Sequence, residues 1–359
     1  MVILHIATVK DDPANGVYTV VPEHVKAQSK FATVGLLNLT EYAPSGIEHL
    51  FIFQNPFSLS TLSAPFKRPD LVIFHQVYDP KFLQISRILR KEKIPYIIVP
   101  HGSLTNEAQH TKWLKKKLGN ILLFNRFVRK ATAIQCLSER ELQSSNIKGT
   151  KFVGTNGCSA PEKEKNDFRK EKIKFCYIGR LDWHIKGLDI LLDALLLFSQ
   201  KETANQCELY MYGPDYHGRF AHVQQMIDER NLNKFVTLSP PVFGEEKERV
   251  LLDADVFIQT SRTEGMPMGI LEALSYGLPC LITQGTTLGE FVERYNAGWV
   301  ASTDAQSVCE CITRAIEERV LLDEKSAGAK ALIAENFAWE SVAENAILAY
   351  RKFSKLGDN

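Results

Sequence analysis

Short apolar runs alternate with amphipathic helical patterns along the first half of the chain. Runs of four to eight residues rich in Val, Ile, Leu and Phe predict buried strands, and apolar residues recurring every three to four positions predict helices. The predicted strands are Val2–Val9, Thr33–Asn38, Leu50–Phe53, Asp70–His75, Tyr96–Pro100, Thr132–Leu137 and Phe152–Val153. The predicted helices are Val17–Ser29, Lys81–Lys93, Leu104–Lys130 and one that begins after Ser138, where Ser138 and Glu141 form a capping-box pattern. Strands separated by helices indicate a parallel sheet.

The same alternation restarts after a charged, proline-containing segment at 160–174, which marks a domain boundary. The predicted strands of the second half are Lys174–Ile178, Glu208–Tyr212, Val236–Leu238, Asp255–Thr260 and Leu278–Thr283. The predicted helices are Leu188–Ser199, His222–Arg230, Glu245–Leu252, a short one that begins at Pro267, and a long amphipathic one from Trp339 to Lys355. We therefore expect an α/β protein with two Rossmann-like domains, at 1–155 and 156–338.

Composition excludes several classes of protein. A length of 359 residues suits about two domains. A net charge of +1 gives no overall signal for nucleic-acid binding. The seven cysteines include no C-x-x-C pair, which favours reduced, buried thiols and a cytoplasmic protein. No apolar run approaches the ~18 residues of a membrane span.

The stretch from Asp255 to Thr283 carries the clearest chemistry, because it predicts a strand, a polar loop, a short helix and a second strand. Glu264 lies in the loop and Glu272 in the helix. Between them, the free amides of the helix start, around Met268, Gly269 and Ile270, favour a phosphate. Carboxylates beside a phosphate repel it and suit sugar hydroxyls instead. The combination indicates a nucleotide-sugar, although two solvated surface glutamates would show the same spacing.

The segment E-G-M-P-M-G-I-L-E-A-L-S-Y-G-L-P resembles the E-x7-E signature of the retaining glycosyltransferases of family 4, which have the GT-B fold. The resemblance implies that Glu264 contacts the donor sugar, that the amides of Met268, Gly269 and Ile270 hold the diphosphate, and that Glu272 binds the ribose. It also implies two Rossmann-like domains facing across a cleft, with the helix at 339–359 crossing back to the first domain.

A second motif follows the strand Lys174–Ile178. Gly179-Arg180-Leu181 and Lys186-Gly187 resemble the family's G-R-L…K-G motif, whose Arg and Lys neutralise the leaving nucleoside diphosphate. Arg180 can donate two parallel hydrogen bonds and Lys186 supplies a compact charge. The resemblance assigns Gly179 to the donor site as well. A salt-bridged surface pair is the structural alternative.

The first half contributes weaker candidates. His101-Gly102 resembles the family's His-Gly motif, which implies that His101 contacts the donor sugar, whereas His75 is interpreted as structural. Gly16 lies in the loop that faces donor phosphate and acceptor in this family, or else forms a plain turn. Val17 and Tyr78 are the acceptor-side candidates. The first βαβ unit lacks G-x-G-x-x-G, which counts against a nicotinamide or flavin site.

The basic amphipathic segment 110–130 has two interpretations. It suits an anionic membrane surface, which would fit an enzyme with a lipid-linked acceptor. A helix with a solvated basic face is the alternative, while nucleic acid is disfavoured because no aromatic stacking platform accompanies the charge. The protein is therefore expected to be cytoplasmic, with peripheral contact at the inner face of the membrane as an extension.

The predicted function is transfer of a sugar from a nucleoside-diphosphate sugar, with UDP-sugar favoured, to a glycan or lipid-linked saccharide acceptor in bacterial surface polysaccharide assembly. No cofactor or metal is expected, and Asp253-Ala254-Asp255 is interpreted as structural because it lies at a strand entrance. One rival is a non-hydrolysing sugar-nucleotide epimerase, for which Asp79 and Glu107 would be the acid/base candidates. The other is a non-catalytic partner subunit with the same fold.

Overall fold

A computed structural model describes residues 1–106, 109, 123–145, 147–168 and 171–354. The chain forms two compact units. The first comprises Met1–Gly157 with Trp339–Asn359, and the second comprises Cys158–Ala338. Each unit has its own parallel sheet and hydrophobic core, so each is described by itself.

The first unit contains a sheet of seven parallel strands, counted over the described residues, in the order β3-β2-β1-β4-β5-β6-β7. The strands are β1 (Val2–Ala7), β2 (Thr33–Asn38), β3 (Leu50–Ile52), β4 (Leu71–His75), β5 (Tyr96–Val99), β6 (Ala133–Cys136) and β7 (Lys151–Val153). The helices before the unit boundary are α1 (Gly16–Gln28), α2 (Pro80–Lys91), α3 (Asn125–Arg129) and α4 (Glu139–Ser144). The central strands are almost wholly buried, as a parallel sheet covered on both faces requires.

The second unit contains a six-stranded parallel sheet in the order β10-β9-β8-β11-β12-β13, the strand order of a Rossmann fold. Its strands are β8 (Ile173–Ile178), β9 (Cys207–Tyr212), β10 (Val236–Ser239), β11 (Val256–Gln259), β12 (Cys280–Thr283) and β13 (Gly298–Ala301). Its helices are α5 (Leu188–Phe198), α6 (Arg219–Glu229), α7 (Gly244–Asp253), α8 (Met268–Ser275), α9 (Gly289–Arg294), α10 (Ala305–Glu317) and α11 (Leu322–Asn336).

The last helix, α12 (Trp339–Arg351), packs against α1 within the first unit. The Trp339 ring meets the edge of the His24 ring, with centroids 4.7 Å apart. A Cβ atom on Gly157 would lie 2.5 Å from the Trp339 side chain, so this approach requires glycine. At the far end of the helix, the Tyr350 hydroxyl donates to Gln135 Oε1 at 2.7 Å. The C-terminal helix is therefore an integral part of the first unit.

The predicted fold of two Rossmann-like domains is confirmed, and most predicted elements agree with the structure to within a few residues. The elements β13, α9, α10 and α11 were not predicted. All seven cysteines are free and buried, as their positions in apolar runs indicated. Most of the predicted helix Leu104–Lys130, and with it Glu107, lies outside the described residues. Within the described residues, no helix is long and apolar enough to cross a membrane.

The capping-box prediction for Ser138 and Glu141 is half correct. Ser138 Oγ accepts from the Glu141 amide at 3.2 Å, as an N-cap should. The Glu141 carboxylate does not reach back to Ser138. It is buried and accepts the Gly102 amide on Oε1 at 2.6 Å and the Leu137 amide on Oε2 at 2.7 Å. Tertiary contact with the loop after β5 therefore replaces the local contact.

Candidate functional site

The strand order of the second sheet reverses between β8 and β11. In open α/β sheets, ligands bind outside the carboxyl ends of the strands at such a reversal. Gly179 directly follows β8, and Gln259 is the last residue of β11. The predicted donor residues of this unit are arranged around these two positions.

The backbone at Gly179 and Arg180 is held in place by neighbouring tyrosines. The Gly179 amide donates to the Tyr212 carbonyl at 3.0 Å, and the buried Tyr177 hydroxyl donates to the Arg180 carbonyl at 2.7 Å. A Cβ on Gly179 would lie 2.8 Å from Tyr177 Oη. The Arg180 side chain is exposed, and no ion-pair partner is found for it within the described part of the chain. Arg180 is thus fixed at its backbone, with a guanidinium available to an anion.

Lys186 and Glu264, predicted separately, contact each other. Lys186 Nζ lies 2.5 Å from Glu264 Oε1, and each side chain is 12% exposed. The same oxygen accepts from Ser261 Oγ at 2.7 Å and from Gln259 Nε2 at 3.0 Å. No partner of Glu264 Oε2 is found among the described residues. Three donors on one oxygen fix the carboxylate and leave its other oxygen as an acceptor.

The loop that carries Lys186 is locked against the end of β11. Gly187 has a φ of 62°, and a Cβ there would lie 2.0 Å from the Thr260 carbonyl oxygen. Thr260 Oγ1 donates to the Gly187 carbonyl at 2.8 Å. Only glycine satisfies both the left-handed conformation and the close approach, so Gly187 sets the position of Lys186 relative to the Glu264 loop.

An ion pair ties the Glu264 loop to helix α5. Arg262 makes two parallel hydrogen bonds to Asp189, both at 2.7 Å, and donates to the His184 carbonyl at 2.8 Å. Burial opposes ionisation of Asp189, but the hydrogen bonds and charge of Arg262 outweigh it and lower the pKa of that carboxyl. This pair holds the two site loops together and was not predicted.

The start of α8 corrects one prediction. Pro267 is the N-cap residue, and no side chain caps the helix. The Ile270 amide was expected to be free for phosphate, but it donates to the Pro267 carbonyl at 3.0 Å. No partner of the Gly269 amide is found within the described residues, and a Cβ on Gly269 would lie 3.4 Å from the Ile178 carbonyl oxygen. The helix start therefore lies beside the end of β8, with Gly269 better placed than Ile270 to donate.

Glu272 is ion-paired with a residue that the sequence did not single out. Its Oε2 pairs with Lys247 Nζ of α7, and the Glu272 side chain is 32% exposed. The pair places a cation beside the carboxylate predicted to bind ribose. Lys247 lies in a charged helical run whose pattern gives no sign of this contact, because the pairing depends on how α7 packs beside α8.

In the first unit, His101 follows β5 in a left-handed conformation, with φ 50° at His101 and 77° at Gly102. Such a conformation is uncommon for a non-glycine residue and clusters at functional sites. The buried Glu141 carboxylate holds the loop through the Gly102 amide. His101 Nε2 lies 3.0 Å from His75 Nδ1, so the two histidines at the ends of β4 and β5 form a pair. Burial, and then the nearby His24, lower the pKa of His101 to about 3.

The remaining candidates of the first unit are Gly16, Val17 and Tyr78, and they differ in the groups that they could present to a substrate. Gly16 is the first residue of α1, with open space where a Cβ would stand. The Val17 side chain is buried, and its amide donates to Asn15 Oδ1 at 3.1 Å, so Val17 has no free polar group for an acceptor. Gln109 Nε2 donates to the Tyr78 hydroxyl at 2.8 Å, and the Tyr78 ring packs on Phe124.

The carboxylates interpreted as structural have structural partners. Asp255 is buried at the entrance of β11, accepts the Lys174 amide at 2.9 Å and lies 3.6 Å from Lys165 Nζ. Asp253 pairs with Lys174. Asp79, the epimerase candidate, caps α2 and accepts from Thr8 Oγ1 at 2.6 Å. Over the described ranges, no cluster of three or more His, Cys, Asp or Glu side chains could hold a metal ion.

Two Rossmann-like units with this strand order define the GT-B class, and comparison with known proteins agrees. Residues 159–331 match the family model described as glycosyl transferases group 1. The match covers nearly all of the second unit and supports the prediction of a transferase enzyme.

The curated relatives are distant. The amylovoran biosynthesis glycosyltransferase AmsK of Erwinia amylovora is 24% identical over 269 residues, which is 71% of this chain and 64% of that protein. This chain thus spans less than two thirds of the length of the first relatives it matches, and about a third of others.

Two solved structures align with 98% of this chain. Sucrose-phosphate synthase from Thermosynechococcus elongatus aligns with a TM-score of 0.74 at 17% identity, covering 98% of this chain and 99% of that one. Anabaena HepE in complex with UDP and glucose aligns with a TM-score of 0.74 at 16% identity, with the same coverage. At these identities the likeness establishes the fold alone.

Proposed function

We propose that this protein is a retaining, family-4-type glycosyltransferase that moves a sugar from a UDP-sugar to a glycan or lipid-linked saccharide acceptor. The observation that carries the proposal is the arrangement of Lys186 and Glu264 at the strand-order reversal of the second sheet, with Gly179 and Arg180 at the neighbouring strand end. The similarity to a glycosyltransferase of amylovoran biosynthesis supports bacterial surface polysaccharide as the product class. The likeness to a protein in complex with UDP supports uridine as the donor base.

The proposed chemistry follows from charge. Breaking the anomeric C–O bond develops positive charge on the sugar and negative charge on the departing diphosphate. Arg180 and Lys186 are the cations placed to stabilise the diphosphate, with the Gly269 amide as a further donor. Glu264 Oε2 would accept a hydroxyl of the donor sugar, and Glu272 would accept the ribose hydroxyls. We propose that no metal is required, since these groups meet the developing charge.

Retention of configuration is proposed to occur by attack on the face that the diphosphate leaves, with a phosphate oxygen as the base. Two features support this over a carboxylate nucleophile. Glu264 is held by three donors on Oε1 while its Oε2 is assigned to a hydroxyl of the donor sugar, and Glu272 is paired with Lys247. An epimerase would need a free acid/base carboxylate in the first unit. Of its two candidates, Asp79 is committed to capping α2 and to Thr8, and Glu107 lies outside the described residues.

A thermal-shift panel of UDP, GDP, ADP, TDP and CDP, with magnesium or with EDTA, tests the donor site. A ligand that binds only the folded state raises the melting temperature. At a ligand concentration one hundred times Kd, it adds about 2.7 kcal/mol to the free energy of unfolding. We expect the largest shift with UDP and no dependence on magnesium. Release of UDP from UDP-sugars in the presence of saccharide acceptors then tests transfer. Binding without turnover would favour a non-catalytic partner subunit, and no shift with any nucleotide would contradict the donor site.

A further inference from the structure

A chain of polar groups, most of them buried, runs through the first unit and ends at His101. Its members come from the end of β7, from β6, α12, α1, β1 and β4, and from the loop after β5. We call this chain the buried relay, and it consists of Gly154, Gln135, Tyr350, Gln28, His5, His75 and His101. From Gln135 to His75, every side chain is at most 2% exposed. Because these groups are buried, their hydrogen-bond partners are expected to be other groups of the protein.

At the end of the relay away from His101, the direction of each hydrogen bond, from donor to acceptor, is fixed by chemistry. The Gly154 carbonyl can only accept, so Gln135 presents its Nε2 to it, at 2.8 Å. Gln135 Oε1 then faces Tyr350, whose hydroxyl donates to it at 2.7 Å. The Tyr350 hydrogen is thereby used, and its oxygen retains only lone pairs for any other neighbour.

The orientation of the Gln28 amide decides which nitrogen of His5 is the donor. No hydrogen-bond partner of Gln28 Nε2 is found among the described residues, and the Gln28 side chain offsets in part the burial that raises the pKa of Tyr350. Since Tyr350 has only an acceptor to offer, the amide nitrogen of Gln28 must face it. Gln28 Oε1 therefore faces His5 Nε2, at 2.9 Å.

The three histidines then follow in turn. Each is neutral at neutral pH, because burial lowers the pKa of His5 and His101 to about 3 and that of His75 well below its ordinary value. A neutral imidazole has one donor nitrogen and one acceptor nitrogen. His5 donates from Nε2 to Gln28 and accepts on Nδ1 from His75 Nε2, at 2.8 Å. His75 accepts on Nδ1 from His101 Nε2, at 3.0 Å.

We propose that the buried relay holds His101 in the neutral Nε2–H tautomer, so that His101 presents Nδ1 as a hydrogen-bond acceptor to a hydroxyl group of a saccharide substrate. His75, His5 and Gln28 are positioning residues, and Tyr350 of the C-terminal helix sets the direction from the far end. The sugar-hydroxyl part rests on the proposed function, whereas the tautomer does not. A hydroxyl donor satisfies Nδ1, whereas a carbonyl or phosphate oxygen would meet a lone pair and be repelled.

The first experiment is side-chain nitrogen NMR of the full chain labelled with ¹⁵N-histidine at pH 7, without donor. The His101 signals are assigned by their disappearance in His101→Asn. We expect the Nδ1 resonance at the position of an unprotonated nitrogen and the Nε2 resonance at that of a protonated one. The reverse pattern, or two protonated nitrogens, would overturn the proposal. Where His101→Asn fails to fold, His101→Gln supplies the assignment.

A remote substitution tests the direction. Tyr350→Phe removes the hydroxyl that orients Gln28, so we expect both His101 nitrogen resonances to move toward values intermediate between the two tautomers. Tyr96→Phe is the matched control, because it removes another buried hydroxyl of the same unit, one that donates to the Phe127 carbonyl at 2.7 Å outside the relay. It should leave the His101 resonances unchanged. An unmoved His101 in Tyr350→Phe would overturn the role of the C-terminal helix.

The result separates this inference from the proposed function. A protein that shows the Nε2–H tautomer but binds no nucleoside diphosphate would retain the relay and lose the glycosyltransferase assignment. An active glycosyltransferase with the Nδ1–H tautomer would lose the relay and retain the assignment. A titration with saccharide substrates followed at His101 connects the two, since a hydroxyl bound at Nδ1 shifts that nitrogen and leaves Nε2 in place.

Discussion

Lys186 Nζ lies 2.5 Å from Glu264 Oε1, although the two residues are 78 positions apart. The lysine was expected to act on the diphosphate and the glutamate on the sugar, yet they contact each other directly. Each also limits what the other can do. The lysine neutralises the charge of the glutamate, which would otherwise repel a diphosphate. The glutamate in turn keeps the lysine ammonium beside the carboxyl ends of β8 and β11, where the strand order reverses.

Replacing this lysine should impair turnover more than folding. We expect Lys186→Met to lower kcat about 10²- to 10³-fold, the usual effect of removing one group that stabilises developing charge. Steady-state kinetics with UDP-sugar at saturation measures it. Lys201→Met is the control, because Lys201 is exposed and its Nζ donates to Thr313 Oγ1 at 2.8 Å, outside the candidate site. Equal kcat values for the two variants would contradict the role of Lys186.

Arg180 offers the cleanest separation of activity from stability. Its side chain is exposed, so Arg180→Ala should leave the melting temperature almost unchanged. Turnover should fall roughly a hundredfold or more, which corresponds to about 3 kcal/mol of lost charge stabilisation. The exposed Arg249, changed to Ala in the same unit, is the matched control. Near-normal turnover in Arg180→Ala would refute the assignment.

Glu272 should control the affinity for the nucleotide itself. Loss of a hydrogen bond to a charged group is worth about 1.5–3 kcal/mol, so we expect Glu272→Ala to raise the Kd for UDP about 10- to 100-fold. Isothermal titration calorimetry measures the change. The exposed Glu246, changed to Ala, controls for loss of a negative charge on the neighbouring helix. An unchanged Kd would remove Glu272 from the ribose site.

The buried histidines predict a loss of stability in acid. Burial lowers the pKa of His5 to about 3 and that of His24 to about 4, whereas unfolded histidine titrates near 6.5. Below pH 6.5 the unfolded chain binds protons that the folded chain does not, so stability falls as the pH drops from 6.5 toward 4 and is constant above about 7.5. Each histidine should cost about 1 kcal/mol at pH 5.5. Urea unfolding at several pH values measures it.

A single substitution tests how much His24 contributes to this loss of stability in acid. His24→Gln keeps a donor for Asn156, which His24 Nε2 contacts at 3.1 Å, and removes one titrating group. Its stability should therefore fall less steeply with acid than that of the unsubstituted protein. An identical slope would show that His24 is not among the groups responsible.

Contact with a membrane remains a prediction from the basic segment 110–130, of which residues 110–122 lie outside the described part. Among the described residues, Arg126 and Arg129 are exposed. Charge reversal of both should reduce co-sedimentation with vesicles containing phosphatidylserine, since each basic residue near such a surface contributes about 1 kcal/mol. The effect should vanish with neutral vesicles and weaken with salt. Arg249→Glu in the second unit is the control, and equal binding of both variants would contradict the contact.

Local pattern was sufficient for most of the strands and for the motif residues that lie at their ends. Gly179 and Arg180 follow a clear apolar run. Glu264 precedes a short helix between two further apolar runs, and Glu272 lies within that helix. A polar run at a strand end, Gln259 to Ser261, was visible but was not connected with Glu264. The elements after Thr283 were missed, although α10 has a regular amphipathic pattern.

The sequence by itself determined the alternation of strands and helices, the division into two Rossmann-like halves and the residues at strand ends, because these depend on hydrophobic period and on turn chemistry between near neighbours. Only the tertiary structure decided which polar groups meet. The contacts of Lys186 with Glu264, Lys247 with Glu272 and Glu141 with Gly102 join distant segments, as does the relay from Tyr350 to His101. Packing sets these pairs, since a buried polar group takes whichever partner the fold brings within hydrogen-bond distance.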